Sequence, residues 1–130
     1  MRALGVILVE GSPYESALAY LALSSETSSV IQVPDLRAAR RVVAGGTVPV
    51  KLAILGRAAI ARASDWQIKA LQVPAVGIAA GLSDADRRRA LEAGIDAVYS
   101  RPRRWKDYLA LVARVLATRT DSARRPDLTN

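Results

Sequence analysis

Short apolar segments recur along the chain, and each is bounded by glycine, proline or polar residues. A brief apolar run rich in β-branched residues is typical of a strand, whereas a helix needs a longer segment of mixed polarity. We therefore predict five strands, over residues 5–9, 29–33, 51–55, 75–80 and 95–100. The fourth of them, AVGIAA, has no polar side chain. This pattern suits a strand that is covered on both faces of a parallel sheet.

The segments between these strands place apolar residues three or four positions apart, which is the period of an amphipathic helix. Ser12 is a suitable N-cap for the first helix, and Glu15 is spaced to complete a capping box with it. We predict that this helix spans residues 13–23. Its expected buried residues are Ala17, Leu18, Leu21 and Ala22.

The same periodicity and similar capping residues predict further helices. With their caps, they cover residues 35–45, 64–71, 83–94 and 104–116. Residues 57–63 fit either a loop or an irregular helical turn. Large apolar side chains at helical spacing are expected to face the core, and they include Trp66, Ile68, Leu71, Trp105, Leu109, Val112 and Leu116.

Strands that alternate with helices predict a parallel sheet whose right-handed crossovers place helices on both faces. Five strands and five helices in this order are typical of the flavodoxin-like fold. That fold is a three-layer α/β/α sandwich with a five-stranded parallel sheet in the order 2-1-3-4-5. Ligands of such folds bind at the carboxyl ends of the strands, so the candidate functional residues are expected there.

Composition limits the chemistry that the chain can perform. The sequence has no cysteine and no histidine, which excludes disulfides, thiol nucleophiles, histidine-based acid–base catalysis and the usual zinc sites. We expect neither an enzyme nor a bound cofactor. The formal charge of +7 suits an acidic partner, such as an acidic protein surface, anionic lipid or nucleic acid, but does not distinguish among them.

The domain organisation expected from length and pattern is simple. Residues 1–117 are predicted to form one domain, and residues 118–130, which lack apolar periodicity, to form a flexible tail or linker. The first apolar run is too short for a signal peptide, and no run is long enough to cross a bilayer. We therefore expect a cytoplasmic protein that does not bind a membrane.

Three spaced motifs in residues 73–102 resemble the receiver domains of bacterial two-component response regulators. Ala79-Ala80 ends a predicted strand, residues 92–96 (EAGID) end the next helix, and Arg101-Pro102 follows the last strand. The family has Thr/Ser-Ala, Glu-Ala-Gly-x-Asp and Lys-Pro at the same spacing. The resemblance covers most of the first 117 residues and implies a CheY-like fold and a role in signal transduction.

The residues that carry receiver chemistry are mostly replaced. In the family, an acidic pair binds magnesium, an aspartate accepts the phosphoryl group, and a hydroxyl residue and a lysine contact the phosphate. The resemblance places these functions, in chain order, at Glu10, Gly11, Gly56, Ala79 and Arg101. The expected chain is thus a degenerate receiver, or pseudo-receiver, without a phosphoacceptor or a metal site. The family's switch aromatic corresponds to Val98, and Tyr99 should face the opposite side of the sheet.

Two carboxylates near this site leave alternatives open. Asp65 is interpreted either as a displaced phosphoacceptor or as an acidic residue that stabilises a helix start. Glu10 is interpreted either as a residual cation ligand or as a carboxylate that is solvated or paired with Arg101.

The resemblance also implies an interaction surface made by the fourth and fifth predicted helices and the fifth strand. We expect a protein partner or a homodimer there, bound without phosphorylation. There are two alternatives. The basic surface binds nucleic acid, or the chain is a phosphorylatable receiver with displaced site residues. Trp105 fits an interface anchor or the core, and we favour the core. The candidate residues of this surface are Arg87, Arg88, Arg89, Tyr99, Arg103, Arg104, Trp105 and Tyr108, with Arg101 and Lys106 in the same basic cluster.

Overall fold

A computed structural model of the chain describes residues 5–46 and 48–124. It contains a five-stranded parallel sheet in the order β2-β1-β3-β4-β5. The strands are β1 (Val6–Val9), β2 (Val30–Val33), β3 (Leu52–Leu55), β4 (Ala75–Ala79) and β5 (Ala97–Ser100). The predicted fold class and strand order are confirmed, and each strand lies within its predicted segment.

Helices cover both faces of this sheet, in three layers. They are α1 (Pro13–Ser24), α2 (Leu36–Gly45), α3 (Arg57–Arg62), α4 (Asp65–Leu71), α5 (Asp84–Glu92) and α6 (Trp105–Arg124). Helices α1 and α6 pack on one face of the sheet around Leu8 and Ile54. The other four helices pack on the opposite face around Ile7 and Leu55. Adjacent strand residues alternate between the two cores, as the pleat requires.

Capping residues account for most helix boundaries. Asp35 accepts a hydrogen bond from the backbone N–H of Ala38 at 2.9 Å and starts α2. Ser83 and Asp86 form a reciprocal capping box that starts α5. After α5, Gly94 adopts the left-handed backbone conformation (φ 102°), which a residue with a side chain rarely adopts.

The helices differ from the prediction in two places. Residues 57–63 contain the short helix α3, and the backbone turns extended at Ala63 before Ser64 starts α4. The third crossover therefore holds two helices, and the structure has six in total among the described residues. Helix α6 continues past residue 116 to Arg124, into the segment predicted as a tail. The rest of that segment, residues 125–130, lies outside the described residues.

Burial corrects several of the predicted core residues. Leu21 and Trp66 are exposed, at 57% and 61%, because the sheet-facing residues of α1 are Ala19, Ala22 and Leu23 and those of α4 are Ile68 and Leu71. Trp105 is 43% exposed, so the expectation that it lies in the core is wrong. Tyr108, which was predicted on the interaction surface, is instead buried in the core beneath α6.

Candidate functional site

The carboxyl ends of β1 and β3 bring two of the predicted site residues together. Val9 is aligned with Leu55 in the sheet, so the residues that follow them, Glu10 and Gly56, are neighbours. The backbone N–H of Gly56 donates to the carbonyl of Val9 at 2.8 Å. Glu10 and Gly56 therefore lie side by side at the carboxyl edge of the sheet.

The carboxylate of Glu10 fills the space where a side chain at position 56 would lie. A Cβ atom built on Gly56 would lie 1.7 Å from Oε1 of Glu10, so any side chain there must displace Glu10. The other oxygen, Oε2, accepts a hydrogen bond from the backbone N–H of Ser12 at 2.9 Å. Glu10 is thus held over the glycine by the backbone that follows β1, and of its open interpretations the pairing with Arg101 is not the one found, because Arg101 pairs with Glu15.

Arg101 points toward α1 and pairs with a different carboxylate. Its Nη2 lies 3.4 Å from Oε2 of Glu15, and both side chains are partly buried. The predicted capping-box role of Glu15 is therefore wrong, although Ser12 still accepts from the Glu15 backbone N–H at 3.4 Å. The Nε atom of Arg101 is buried and has no hydrogen-bond partner in the described part of the chain. The positive charge of Arg101 is thus paired with Glu15 within the protein.

Tyr108 lies near this ion pair, and its environment keeps the phenol neutral. Burial raises the pKa of Tyr108 to about 12, because the phenolate would lose its hydration. Glu15 and Glu10 raise the pKa further, while the positive charge of Arg101 opposes the shift. Tyr108 is therefore a neutral core residue at physiological pH and contributes no exposed group to the interaction surface.

The carboxyl end of β4 is closed by an arginine that the sequence did not single out. Ala79, at the position of the family's hydroxyl residue, is buried and ends this strand. The guanidinium of Arg57 donates from Nη1 to the carbonyls of Ala80 at 2.8 Å and Gly81 at 3.2 Å. The sequence carries no local signal for this contact, because it joins the start of α3 to the loop after β4, 23 positions away. Gly11, the last of the predicted site positions, is exposed.

The remaining acidic candidate is not part of this edge. Asp65 is the first residue of α4, is exposed, and forms an ion pair with Lys69 at 3.3 Å. It lies beside Gly94, just before β5, and thus near the amino ends of the strands. Its interpretation as a displaced phosphoacceptor is therefore wrong. No cluster of three or more potential metal-binding side chains occurs in residues 5–46 and 48–124.

The consecutive arginines of α5 have different roles. Arg87 donates to the carbonyl of Val98 at 2.9 Å and to the hydroxyl of Ser100, and so ties α5 to β5. Arg89 points the other way and donates to carbonyls at the end of α3, those of Ile60, Ala61 and Ala63. Arg88 is exposed and makes no hydrogen bond or ion pair with another described residue.

The exposed surface formed by α5, β5 and the start of α6 is therefore smaller than predicted. Four of its basic residues make no hydrogen bond or ion pair with another described residue: Arg88, Arg103, Arg104 and Lys106. Trp105 stands beside them, with its ring edge-on to that of Tyr108 at 5.7 Å between centroids. Tyr99 is half-buried and lines a groove of about 320 Å³ between the edge strand β5 and α6. We call Arg88, Arg103, Arg104, Trp105 and Lys106 the basic surface.

The side chains of β5 alternate as the sequence analysis predicted. Val98 packs with the core under α2 to α5, and Tyr99 with the core under α1 and α6. Tyr99 therefore does not replace the family's switch aromatic, because it lies on the opposite face of the sheet from Val98.

Solved structures with the same fold are response regulator receiver domains. The phosphoreceiver-containing C-terminus of Escherichia coli RcsC superposes with a TM-score of 0.74 and 17% identity, over 96% of this chain and 49% of that one. A response regulator from Hahella chejuensis gives 0.69 and 17%, over 90% and 95% of the two chains. The phosphorylated cyanobacterial phytochrome response regulator RcpA gives 0.68 and 15%, over 88% and 91%.

At these identities the similarity shows the fold alone. No protein-family model and no curated protein sequence matches the chain. Within the described residues, no helix combines the length and the apolar character needed to cross a membrane.

Proposed function

We propose that this chain is a pseudo-receiver, a receiver-fold module that acts in bacterial signal transduction by binding a protein partner without being phosphorylated. The observation that carries the proposal is that Gly56, beside Glu10 at the carboxyl end of β3, has no side chain to accept a phosphoryl group. We place this interaction in the cytoplasm.

The chemistry of phosphoryl transfer supports the proposal. Transfer to a receiver needs a carboxylate nucleophile, a divalent cation on oxygen ligands and fixed positive charge on the phosphoryl oxygens. Position 56 supplies no nucleophile, and Ala79 supplies no hydroxyl. Arg101, at the position of the family's lysine, is engaged by Glu15. The nucleophile and the hydroxyl are thus missing, one carboxylate of the acidic pair remains at Glu10, and the positive charge of Arg101 is shared with Glu15.

The first prediction is that the chain does not accept a phosphoryl group. The wild-type chain incubated with acetyl phosphate and magnesium is expected to show no added phosphoryl group in its intact mass. Beryllofluoride with magnesium is likewise expected to leave the amide chemical shifts unchanged. A receiver domain with an intact site is the positive control. A stable, stoichiometric phosphorylated species would contradict the proposal.

The basic surface indicates the chemistry of the partner. Arg88, Arg103 and Arg104 are exposed and are not neutralised by a described residue. Two copies that met through this surface would place like charges opposite each other, which is unfavourable. We therefore propose an acidic protein surface as the partner here, rather than a second copy. Trp105 beside the arginines supplies the aromatic residue type that is enriched at interface anchors.

The second prediction concerns this surface. The double variant Arg88→Glu/Arg104→Glu is expected to bind the partner more than about tenfold more weakly, a loss of about 1.4 kcal/mol. Thermal unfolding should hardly change, because exposed substitutions normally alter stability by less than about 0.5 kcal/mol. The measurement is titration calorimetry with the purified protein that is crosslinked to the wild-type chain in cells.

A second double variant, with the same net charge as Arg88→Glu/Arg104→Glu, serves as the matched control. Arg37 and Arg40 on α2 are exposed as well, and they make no hydrogen bond or ion pair with another described residue. Arg37→Glu/Arg40→Glu should therefore leave the affinity within about twofold, apart from long-range charge effects. Equal losses in both variants would contradict a specific surface. Tight binding to duplex DNA with a steep salt dependence would favour the nucleic-acid alternative instead.

A further inference from the structure

The solvent-facing side of α1 carries no charged residue. Six residues of this helix are exposed at helical spacing, and they are Pro13, Tyr14, Ala17, Tyr20, Leu21 and Ser24. A surface helix normally places charged and polar side chains on this side. Tyr14 is 69% exposed and Leu21 is 57% exposed, so these large side chains do not reach the core. We call these six residues the α1 stripe.

The rest of α1 also carries almost no charge. Glu15 is the only acidic or basic residue in the helix, and its carboxylate turns inward to Arg101. Each of the other five described helices contains at least one arginine or lysine. In a chain with a formal charge of +7, α1 is therefore the helix at which a second positively charged molecule is least repelled.

We propose that two copies of this chain associate through the α1 stripe, with the two helices antiparallel across a twofold axis. Twofold contacts pair the same surface on both molecules, so the surface must be complementary to itself. The α1 stripe meets this condition in its charge, because neutral side chains face neutral side chains. This interface is separate from the basic surface, and the inference does not depend on the proposed function.

The two most exposed large side chains of the stripe, Tyr14 and Leu21, flank the small exposed residue Ala17, which suits an antiparallel pair. We centre the pair between residues 17 and 18, halfway between Tyr14 and Leu21. Pairing about that midpoint places Tyr14 of each copy opposite Leu21 of the other. The small side chain of Ala17 lies near the crossing point and allows the helix axes to approach to about 8 Å, the close end of the usual range.

The expected dimer is weak, because it rests on one helix pair. Interfaces that bury less than about 1,200 Å² in total are typical of transient complexes. We expect a dissociation constant on the order of 10 μM, which corresponds to about 7 kcal/mol. Higher salt should strengthen the dimer, because it screens the repulsion between two positively charged copies. The same change should weaken binding of an acidic partner to the basic surface.

The test is sedimentation velocity on the full chain between about 1 and 200 μM, a range that brackets the expected dissociation constant. Wild type should shift from monomer to dimer with concentration. Leu21→Glu and, separately, Tyr14→Lys should each weaken the dimer more than tenfold, since both place a charge in the apolar contact. Leu91→Glu is the matched control, because Leu91 is 49% exposed on α5, outside the stripe. It should leave the dimer unchanged.

The double variant Tyr14→Lys/Leu21→Glu tests the antiparallel arrangement. In the proposed pairing, the new lysine of each copy meets the new glutamate of the other, so the double variant should dimerise at least tenfold more tightly than either single variant. A monomeric wild type at 200 μM would overturn the proposal, as would single variants that dimerise like wild type. Absence of rescue in a double variant with a wild-type circular dichroism spectrum would overturn the antiparallel pairing.

Discussion

The Gly56→Asp variant is expected to be about 2 kcal/mol less stable at pH 7 than the Gly56→Asn variant. Both side chains must displace the carboxylate of Glu10, because a Cβ at this position would lie 1.7 Å from its Oε1. Both can also accept a hydrogen bond at the start of α3, since position 56 is the N-cap of that helix. Only the aspartate adds a second negative charge. Two charges about 4 Å apart repel by about 1 kcal/mol in water and by about 4 kcal/mol near a protein surface.

The pH dependence of this difference has a definite sign. A second carboxylate favours the protonated form of its neighbour, so the pKa of one of the pair rises in the folded variant. Such a group destabilises the fold above that pKa and ceases to do so when it is protonated. The gap between the aspartate and asparagine variants should therefore close as the pH falls toward about 4. Urea unfolding at pH 7 and at pH 4 measures both values.

Magnesium provides a second readout of the same pair of variants. Magnesium is usually held by one or two carboxylates, and the pair formed by Glu10 and an aspartate at position 56 is a stronger ligand set than Glu10 alone. Millimolar magnesium should thus stabilise Gly56→Asp by roughly 1 kcal/mol, through binding to the folded state alone. It should leave wild type and Gly56→Asn unchanged. Equal stability of the two variants at pH 7 would show that the carboxylate of Glu10 does not lie beside position 56. A magnesium response of wild type would instead show that Glu10 is a residual cation ligand.

The strands and their order could be predicted because the information for them is local. Each strand is a short apolar run between turn residues, and alternation with helices leaves few parallel topologies. The orientation of each helix was harder to predict. In α1, apolar residues occur all round the helix, so the sequence did not distinguish the sheet-facing Leu23 from the exposed Leu21. In α6, Tyr108 rather than Trp105 is buried, although the two lie three positions apart.

The site could be located from the sequence, but its contacts could not. The spacing of the strands places residue 56 at the end of the third strand. The sequence shows that this residue is glycine, which has no side chain. The position of the Glu10 carboxylate above Gly56 is not visible in the sequence, because it depends on the pairing of β1 with β3. The ion pair of Arg101 with Glu15 joins residues 86 positions apart. The contact of Arg57 with Ala80 spans 23 positions. Side-chain contacts of this range leave no local pattern.

Arg89 illustrates the same limit, and its replacement should have a large effect on stability. The Arg89→Ala variant is expected to lose about 2 kcal/mol of unfolding free energy, whereas Arg88→Ala should lose less than about 0.5 kcal/mol. The guanidinium of Arg89 donates to three carbonyls at the end of α3, including that of Ile60 at 2.8 Å. Those carbonyls have no partner within the helix, and a positive charge there is also favoured by the helix dipole.

Arg89→Lys separates the charge from the geometry of this contact. Lysine keeps the positive charge but cannot span three carbonyls as the planar guanidinium does, so about half of the loss is expected to remain. Urea unfolding of the three variants at one pH measures the series. Hydrogen exchange should show faster opening of α3 in Arg89→Ala than in wild type, because α5 no longer holds its end. If Arg88→Ala and Arg89→Ala unfold alike, the two arginines are equivalent surface residues. In that case Arg89 belongs with Arg88 on the basic surface and does not connect α5 to α3.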